Sequence, residues 1–279
     1  MSEFKCLKSY SYANLMLDVL IPLSIFCVTL LFYMHVRYHR TPSNEPEILT
    51  ASGSDDIEEV SRLRVPVVFR EAIHCGNKGM VDMVAAGETC DCQLLNSTTA
   101  MQASIDGALS DLSLGRHSII VEKYPCPALA DAGKPPMTIS TDTYGLYMQK
   151  GSRTPPSCSY NHRLCIVFSS GKGVCELFDP SSLKDAIISK NESGRFYFSN
   201  TDPAPYSTKL STGDILVIPP FWGWKLIATG DSAIEVVGYN TAMSYIATLP
   251  ERVMNDLRPG NDHNLAQAPP AKKRVKWKD

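Results

Sequence analysis

The sequence has little net charge and few cysteines. Its 27 Lys and Arg residues nearly balance its 29 Asp and Glu residues, which leaves a formal charge of −2. A chain without a charge imbalance gives no electrostatic indication of a polyanionic partner, so we expect no nucleic acid to bind. Nine cysteines in 279 residues are too few for a small disulfide-built scaffold. This length is instead typical of one domain of about 200 residues with terminal segments.

Most of the cysteines are interpreted as buried thiols. Cys6 and Cys27 lie near the N-terminus, which leaves seven of the nine, and an odd number cannot pair completely within one domain. Disulfides are compatible with an oxidising compartment, and the sequence leaves their pairing open. Cys90 and Cys92 lack the C-x₂₋₄-C spacing of structural zinc sites, so no metal is expected there. A pair of Cys158 and His162 suggests a thiol nucleophile, but no third orienting group is visible.

Charged residues are absent from a long run near the N-terminus. Residues 19–36 read VLIPLSIFCVTLLFYMHV, which is 18 residues without Asp, Glu, Lys or Arg. About 20 helical residues cross ~30 Å of hydrocarbon, so we predict one transmembrane helix over residues 17–37 that anchors the chain in a lipid bilayer as a single-pass membrane protein. The alternative is a cleaved signal peptide, whose apolar region is usually ~7–15 residues long and ends in small residues. This run is longer and ends in HVRYHR.

Basic residues do not fix the orientation of this helix. Lys5 and Lys8 precede it, while Arg37 and Arg40 follow it, so the positive-inside rule gives a tie. The sequence also leaves the organelle open.

The rest of the chain divides by composition. We predict an N-terminal tail over residues 1–16, a flexible acidic linker over 38–61, a folded domain over 62–257 and a disordered basic tail over 258–279. The tail has five basic residues that we expect either to contact an acidic protein or lipid surface or to remain solvated. They are Lys272, Lys273, Arg274, Lys276 and Lys278.

Strand patterns dominate the predicted domain. Short apolar runs occur at residues 65–69, 118–121, 165–168, 174–178, 215–218 and 233–237. Helical patterns are weaker and fall at residues 80–86, 102–112 and 182–189. This mixture predicts an α+β fold with a β-barrel or sandwich core.

Four segments then indicate a family. Residues 210–224, LSTGDILVIPPFWGW, resemble the "pGD-apolar-apolar-apolar-iP-x-x-W-W-H" hairpin of the JmjC-type cupins, which are 2-oxoglutarate oxygenases that include asparaginyl hydroxylases. Residues 151–156 (GSRTPP), 171–180 (GKGVCELFDP) and 65–72 (VPVVFREA) are similar to three other segments of that family, in the same order. The resemblance implies a double-stranded β-helix, the cupin or jelly-roll fold, behind the transmembrane helix.

The residues that this family needs for catalysis are replaced. Its iron is held by two His and one carboxylate, and the resemblance aligns those ligands with Ser157, Ser159 and Trp224. Neutral hydroxyls are poor ligands for Fe(II), and an indole N–H is a donor only. The 2-oxoglutarate-binding lysine aligns with Gly173, or with Lys172 after a slip of one residue. We therefore expect neither a bound metal nor a cofactor.

These observations lead to a functional hypothesis. The chain is interpreted as a non-catalytic, membrane-anchored cupin-like pseudoenzyme that acts as a structural or binding subunit of a membrane-associated protein assembly. One alternative is a membrane-bound Fe(II)/2-oxoglutarate-dependent hydroxylase with atypical ligands. The other is a small-molecule binder that uses the barrel pocket, for which Trp222, Thr154, Tyr147 and Asn240 are the candidate pocket residues.

Overall fold

The computed structural model forms two compact units, Met1–Thr41 and Pro42–Asp279. Within them it describes residues 3–40, 47–52, 57–73, 89–94, 100–104, 119–122, 133–183, 186–190, 195–199, 204 and 206–257. The basic tail predicted over residues 258–279 lies outside the described residues.

The first unit contains one long helix. Helix α1 spans Glu3–Arg40 and includes most of the segment assigned to an N-terminal tail. Its 21-residue stretch Asp18–Tyr38 has a mean hydropathy of 2.2 and is not buried at all. This stretch is long and apolar enough to cross a membrane, although a signal sequence near an N-terminus meets the same criterion of length and composition.

The second unit has fifteen described strands and two described helices. The helices are α2 (Ile57–Ser61) and α3 (Ala242–Leu257). The strands are β1 (Leu49–Ser52), β2 (Val67–Arg70), β3 (Thr89–Leu94), β4 (Ala100–Ser104), β5 (Ile119–Glu122), β6 (Thr138–Met148), β7 (Ser157–Cys158), β8 (Arg163–Ser170), β9 (Lys172–Phe178), β10 (Ile187–Lys190), β11 (Phe196–Ser199), β12 (Tyr206–Ser211), β13 (Ile215–Ile218), β14 (Gly223–Ala228) and β15 (Ser232–Thr241).

These strands form two sheets. The nine-stranded sheet has the order β1-β2-β13-β8-β15-β6-β5-β3-β4, and the six-stranded sheet has the order β10-β11-β7-β14-β9-β12. Among the described pairs, β1 with β2 is parallel and the others are antiparallel. The predicted α+β class is therefore confirmed, but neither sheet closes into a barrel through the strands that the structure describes.

The main core takes apolar side chains from both sheets. Ile166 and Val236 belong to the nine-stranded sheet, Leu177 and Leu226 belong to the six-stranded one, and all four share one buried cluster. Strand β9 shows why the sequence folds this way, because its side chains alternate between buried and more exposed positions from Lys172 to Glu176. Successive strand residues point to opposite faces, so this alternation puts one side of β9 in the core.

A second cluster covers the other face of the nine-stranded sheet. Ile57 and Val60 of α2 pack there, and so do Leu49 and Ala51 of β1. The range predicted as a flexible linker, 38–61, thus contains β1 and α2, because its few apolar residues have a sheet face to cover.

A buried arginine holds α2 in place. Arg163 is only 3% exposed. Its guanidinium donates hydrogen bonds to the Gly133 carbonyl at 2.6 Å and to the Glu58 carboxylate at 2.8 Å. Glu58 lies on α2 and Arg163 on β8, so this partly buried ion pair connects the two elements.

The predicted helices differ from the observed elements. Two of the predicted segments, residues 102–112 and 182–189, overlap strands β4 and β10, and residues 80–86 lie outside the described part of the chain. Pairing with neighbouring strands overrides a weak local helical pattern. Helix α3 was not predicted, since Pro250 lies inside it and its apolar residues do not all face the core.

Candidate functional site

A cavity of about 490 Å³ lies in the second unit, bounded by β6, β7, β14, the start of β11 and α3. Ser157, Ser159 and Trp224 all line it. They are the three positions that the sequence analysis aligned with metal ligands, and they come from two segments far apart in the chain.

Strand pairing brings these positions together. In the register of β7 with β14, Ser157 lies opposite Trp224 and Cys158 lies opposite Gly223. The next turn is fixed by backbone hydrogen bonds, since the Phe221 N–H donates to the Ser159 carbonyl at 2.8 Å and the Ser159 N–H donates to the Trp222 carbonyl at 3.3 Å. The three side chains therefore share one wall of the cavity.

The donor groups at this wall do not fit Fe(II). The Ser157 hydroxyl donates to the Pro155 carbonyl at 3.1 Å, and the Ser159 hydroxyl oxygen accepts from the Asn161 N–H at 3.2 Å. The indole of Trp224 offers no lone pair to a metal. Across the described residues, no group of three or more His, Cys, Asp or Glu is placed to hold a metal ion. No step through iron can be derived from these residues.

The two positions that the resemblance aligned with the 2-oxoglutarate-binding lysine also lack a lysine amine between the sheets. Gly173 is buried, and a Cβ added there would lie 2.7 Å from the Ile227 carbonyl oxygen and 3.0 Å from Cζ of Phe168. Lys172 is exposed at the start of β9, where its carbonyl accepts a hydrogen bond from the Thr229 N–H at 3.0 Å. Shifting the alignment by one residue, to Lys172, therefore does not put an amine between the sheets. Side chains alternate between the two faces of β9, and that of Lys172 lies on the face away from the core.

The four candidate pocket residues are not among the described residues that line the cavity. Thr154 is buried, and its hydroxyl oxygen accepts from the Leu226 N–H at 2.8 Å. Trp222 is 1% exposed in the core, with its ring centroid 5.9 Å from that of Tyr206. Tyr147 packs on the second cluster. Asn240 reaches the cavity indirectly, since its carbonyl accepts from Arg252 at 3.0 Å.

Sequence reasoning missed the charged residues of the cavity. Arg195, Arg252 and Asp142 line it. The Arg195 guanidinium carbon lies 4.1 Å from the centre of the Tyr144 ring. These residues come from β6, from the residue before β11 and from α3, so no local motif groups them. Only the tertiary fold reveals the site.

Arg252 is held at the cavity wall by hydrogen bonds to three residues. Besides its bond to Asn240, its guanidinium donates to the Thr248 hydroxyl at 3.1 Å and to the Tyr160 carbonyl at 3.1 Å. Burial raises the pKa of Asp142, and the positive charge of Arg252 partly offsets that rise. The cavity thus combines a fixed cation with a carboxyl group whose charge is disfavoured.

The thiol in the cavity wall is not an activated nucleophile. Burial raises the pKa of Cys158 to about 12, although a hydrogen bond with Tyr160 opposes the rise. The thiol is therefore protonated at neutral pH, whereas a reactive cysteine needs its thiolate form. The pairing of Cys158 with His162 considered from the sequence gains no support.

No protein-family model matches this chain, and no curated protein matches it either.

Proposed function

We propose that this chain is a non-catalytic, membrane-anchored JmjC-like cupin domain that serves as a binding or structural subunit of a membrane-associated assembly. One observation carries the proposal. The three positions that the resemblance assigns to iron ligands meet at one cavity, and their side chains are two hydroxyls and an indole. A wall of this composition favours binding over iron chemistry.

Contacts between the motif segments support the double-stranded β-helix assignment. Arg70, in the VPVVFREA segment, forms an ion pair of 2.7 Å with Asp214, in the LSTGDILVIPPFWGW segment. Strands β2 and β13 of the same two segments are paired. Glu71 has a φ of 51°, and it aligns with the glycine of the family segment "x-P-V-V-apolar-R-G-A" that VPVVFREA resembles. A left-handed backbone at that position favours glycine, which is consistent with a divergent member of such a family.

The packing between the sheets supports the loss of catalysis. Trp222, Trp224 and Leu226 belong to the main buried cluster together with Phe168. Beside them, Gly173 leaves no room for even a methyl group. A carboxylate cosubstrate that entered between the sheets beside Gly173 would lose its hydration and find apolar side chains, which is costly.

Iron content and turnover test the proposal directly. The full chain in phospholipid nanodiscs is loaded anaerobically with Fe(II), and bound iron is measured by mass spectrometry, with succinate release from 2-oxoglutarate measured in air. We expect far less than one iron per chain and no succinate. The Ser157→Ala and Ser159→Ala variants serve as matched controls and should retain the same iron content. Stoichiometric iron with succinate release would overturn the proposal.

The anchor needs its own test, because α1 also has the composition of a signal sequence. We expect the protein isolated from membranes to keep residues 18–38 and to resist extraction by alkaline carbonate. N-terminal peptide mapping by mass spectrometry checks the first point. A mature protein that begins after Arg40 would contradict the anchor.

Membership of an assembly is tested by size. After mild solubilisation, we expect the chain to migrate in a complex much heavier than its own 30.7 kDa. Crosslinking mass spectrometry would then identify the neighbouring subunits. Migration as a free chain under several mild detergents would contradict the structural-subunit proposal.

A further inference from the structure

Helix α3 carries large apolar side chains on its outer side. Its buried positions hold small or hydroxyl-bearing residues, namely Ser244, Ala247 and Thr248, each at most 1% exposed. The apolar face of α3 consists of Ile246, Leu249, Val253, Met254 and Leu257, which are 41–74% exposed. An amphipathic helix on a soluble domain usually has the opposite arrangement, with its large apolar residues against the core.

The apolar face is continuous with the cavity. Tyr245, Leu249, Arg252 and Val253 line the cavity. Their spacing of i, i+4, i+7 and i+8 puts them on one side of the helix. Leu249 and Val253 belong both to this side and to the apolar face, so the cavity opens onto an apolar strip that follows the helix.

Two positively charged arginine side chains line this cavity. Arg252 is fixed by Asn240, Thr248 and the Tyr160 carbonyl, and Arg195 lies over the Tyr144 ring. Asp142 is the one carboxylate among the described lining residues, so arginines outnumber it. Guanidinium groups bind carboxylates and phosphates through charge-assisted and often bidentate hydrogen bonds.

We propose that the cavity binds an anionic amphiphile, with its carboxylate or phosphate at Arg195 and Arg252 and its hydrocarbon chain along the apolar face of α3. The cavity of about 490 Å³ accommodates the head group of the ligand. The apolar face of α3 shields the ligand's hydrocarbon chain from water. The inference deepens the proposed function and rests on it, because it treats the altered metal site as a binding site. A membrane anchor would keep the domain beside a source of such molecules.

Quenching of tryptophan fluorescence tests the site, because Trp224 lines the cavity. The full chain carries Trp277→Phe, which leaves Trp222 and Trp224 as the fluorophores, and is reconstituted in phosphatidylcholine nanodiscs. The quencher in one arm is dibromostearic acid, and in the other it is phosphatidic acid with brominated chains within the disc. Saturable quenching in the first arm identifies a free fatty acid, and in the second arm a phospholipid head group. Dibromostearic acid methyl ester is the uncharged control.

Four variants separate charge from hydrophobic contact. Arg195→Gln and Arg252→Gln should each weaken binding about 10-fold or more, the loss expected for one charge-assisted hydrogen bond. Val253→Gln, at a site 44% exposed where folding is not at risk, should weaken binding several-fold. Lys172→Gln removes an exposed cation away from the cavity and should change nothing.

The inference is overturned by no saturable quenching in either arm, by equal quenching with the methyl ester, or by equal affinity of the Arg195→Gln and Lys172→Gln variants when circular dichroism shows both folded. Competition by acetate or inorganic phosphate at the same concentration as the amphiphile would also overturn it, since the hydrocarbon chain of the ligand would then contribute nothing to the affinity. The iron assay is independent, so iron uptake with turnover removes the proposed function whatever the quenching shows.

Discussion

Trp224 lies directly opposite Ser157 where β14 pairs with β7, and both side chains reach the same cavity. In the JmjC-type cupins that the sequence resembles, these two positions would carry histidines on one iron. Here a large indole and a small hydroxyl occupy them, and Trp224 is only 4% exposed. The indole therefore fills space next to the hydroxyl.

Gly173→Ala is expected to destabilise the domain. The added Cβ would meet the Ile227 carbonyl oxygen at 2.7 Å, and backbone cannot move aside cheaply. We expect a loss of about 1–3 kcal/mol in the free energy of unfolding, as for other overpacked cores. Denaturant unfolding measures it. Gly230→Ala is the matched control, since its nearest neighbour is Cγ of Lys172 at 3.9 Å. Equal stability of the two variants would show that β9 is not packed as described.

Part of this architecture could be predicted from the sequence. The apolar runs of β8, β9 and β13 were recognisable because buried strands concentrate apolar residues over four to eight positions. The turn at Gly213 was recognisable too, and its φ of 89° explains the glycine. Local patterns of this kind survive without any knowledge of tertiary contacts.

The cavity could be predicted only in part. The aligned motifs identified Ser157, Ser159 and Trp224, which the structure brings to the cavity. Arg195 and Arg252 could not be found, because surface and cavity arginines look alike in a sequence. Tyr147, a candidate pocket residue, packs on the second cluster, and the sequence could not predict this because a strand residue can face either side of its sheet.

Asp214→Asn is expected to weaken the link between β2 and the turn before β13. Burial alone raises the pKa of Asp214, but hydrogen bonds from the Ser211 and Glu71 N–H groups and from Arg70 bring that pKa below its usual value. A carboxyl with a lowered pKa stabilises the fold above its unfolded-state pKa of about 3.9 and loses that contribution as the pH falls through the folded-state pKa.

The variant should therefore lose about 1–3 kcal/mol at pH 7, the usual cost of removing a charged hydrogen-bond partner. Its unfolding free energy should also depend less on pH below about 4. Chemical denaturation across this pH range is the measurement, with Glu59→Gln at the exposed position of α2 as the control. A variant with unchanged stability at pH 7 would contradict the role of the carboxylate.

His162 gives the second unit a separate pH dependence. Burial and the nearby Arg163 lower the pKa of His162 to about 4, against the opposing effect of Glu58. The unfolded chain binds a proton near pH 6.5 and the folded chain does not, so stability is complete above about 6.5 and falls as the pH decreases toward 4. His162→Gln should reduce the slope of the unfolding free energy against pH in this window by the equivalent of up to one proton. An unchanged slope in the variant would mean that other groups cause it.

Metal ligands can be introduced at the three positions that the resemblance aligned with an iron site. The triple variant Ser157→His, Ser159→Asp and Trp224→His replaces the cavity wall with two imidazoles and a carboxylate, the donor set that non-haem iron prefers. If the resemblance is correct, these positions keep the geometry of a metal site, and the variant should bind Co(II) with a visible d–d absorption band. Removing the Trp224 indole should cost several kcal/mol, about 3–5 for a buried Trp replaced by Ala, so folding is checked by circular dichroism.

The control is a triple variant with alanine at the same three positions, which also lacks the Trp224 indole but introduces no metal ligands. We expect it to bind no Co(II). A folded His/Asp/His variant that also fails to bind would show that Ser157, Ser159 and Trp224 share a cavity without sharing the geometry of a metal centre. That result would remove the main support for a JmjC-like origin, while the cavity, Arg195 and Arg252 would remain to be explained by ligand binding alone.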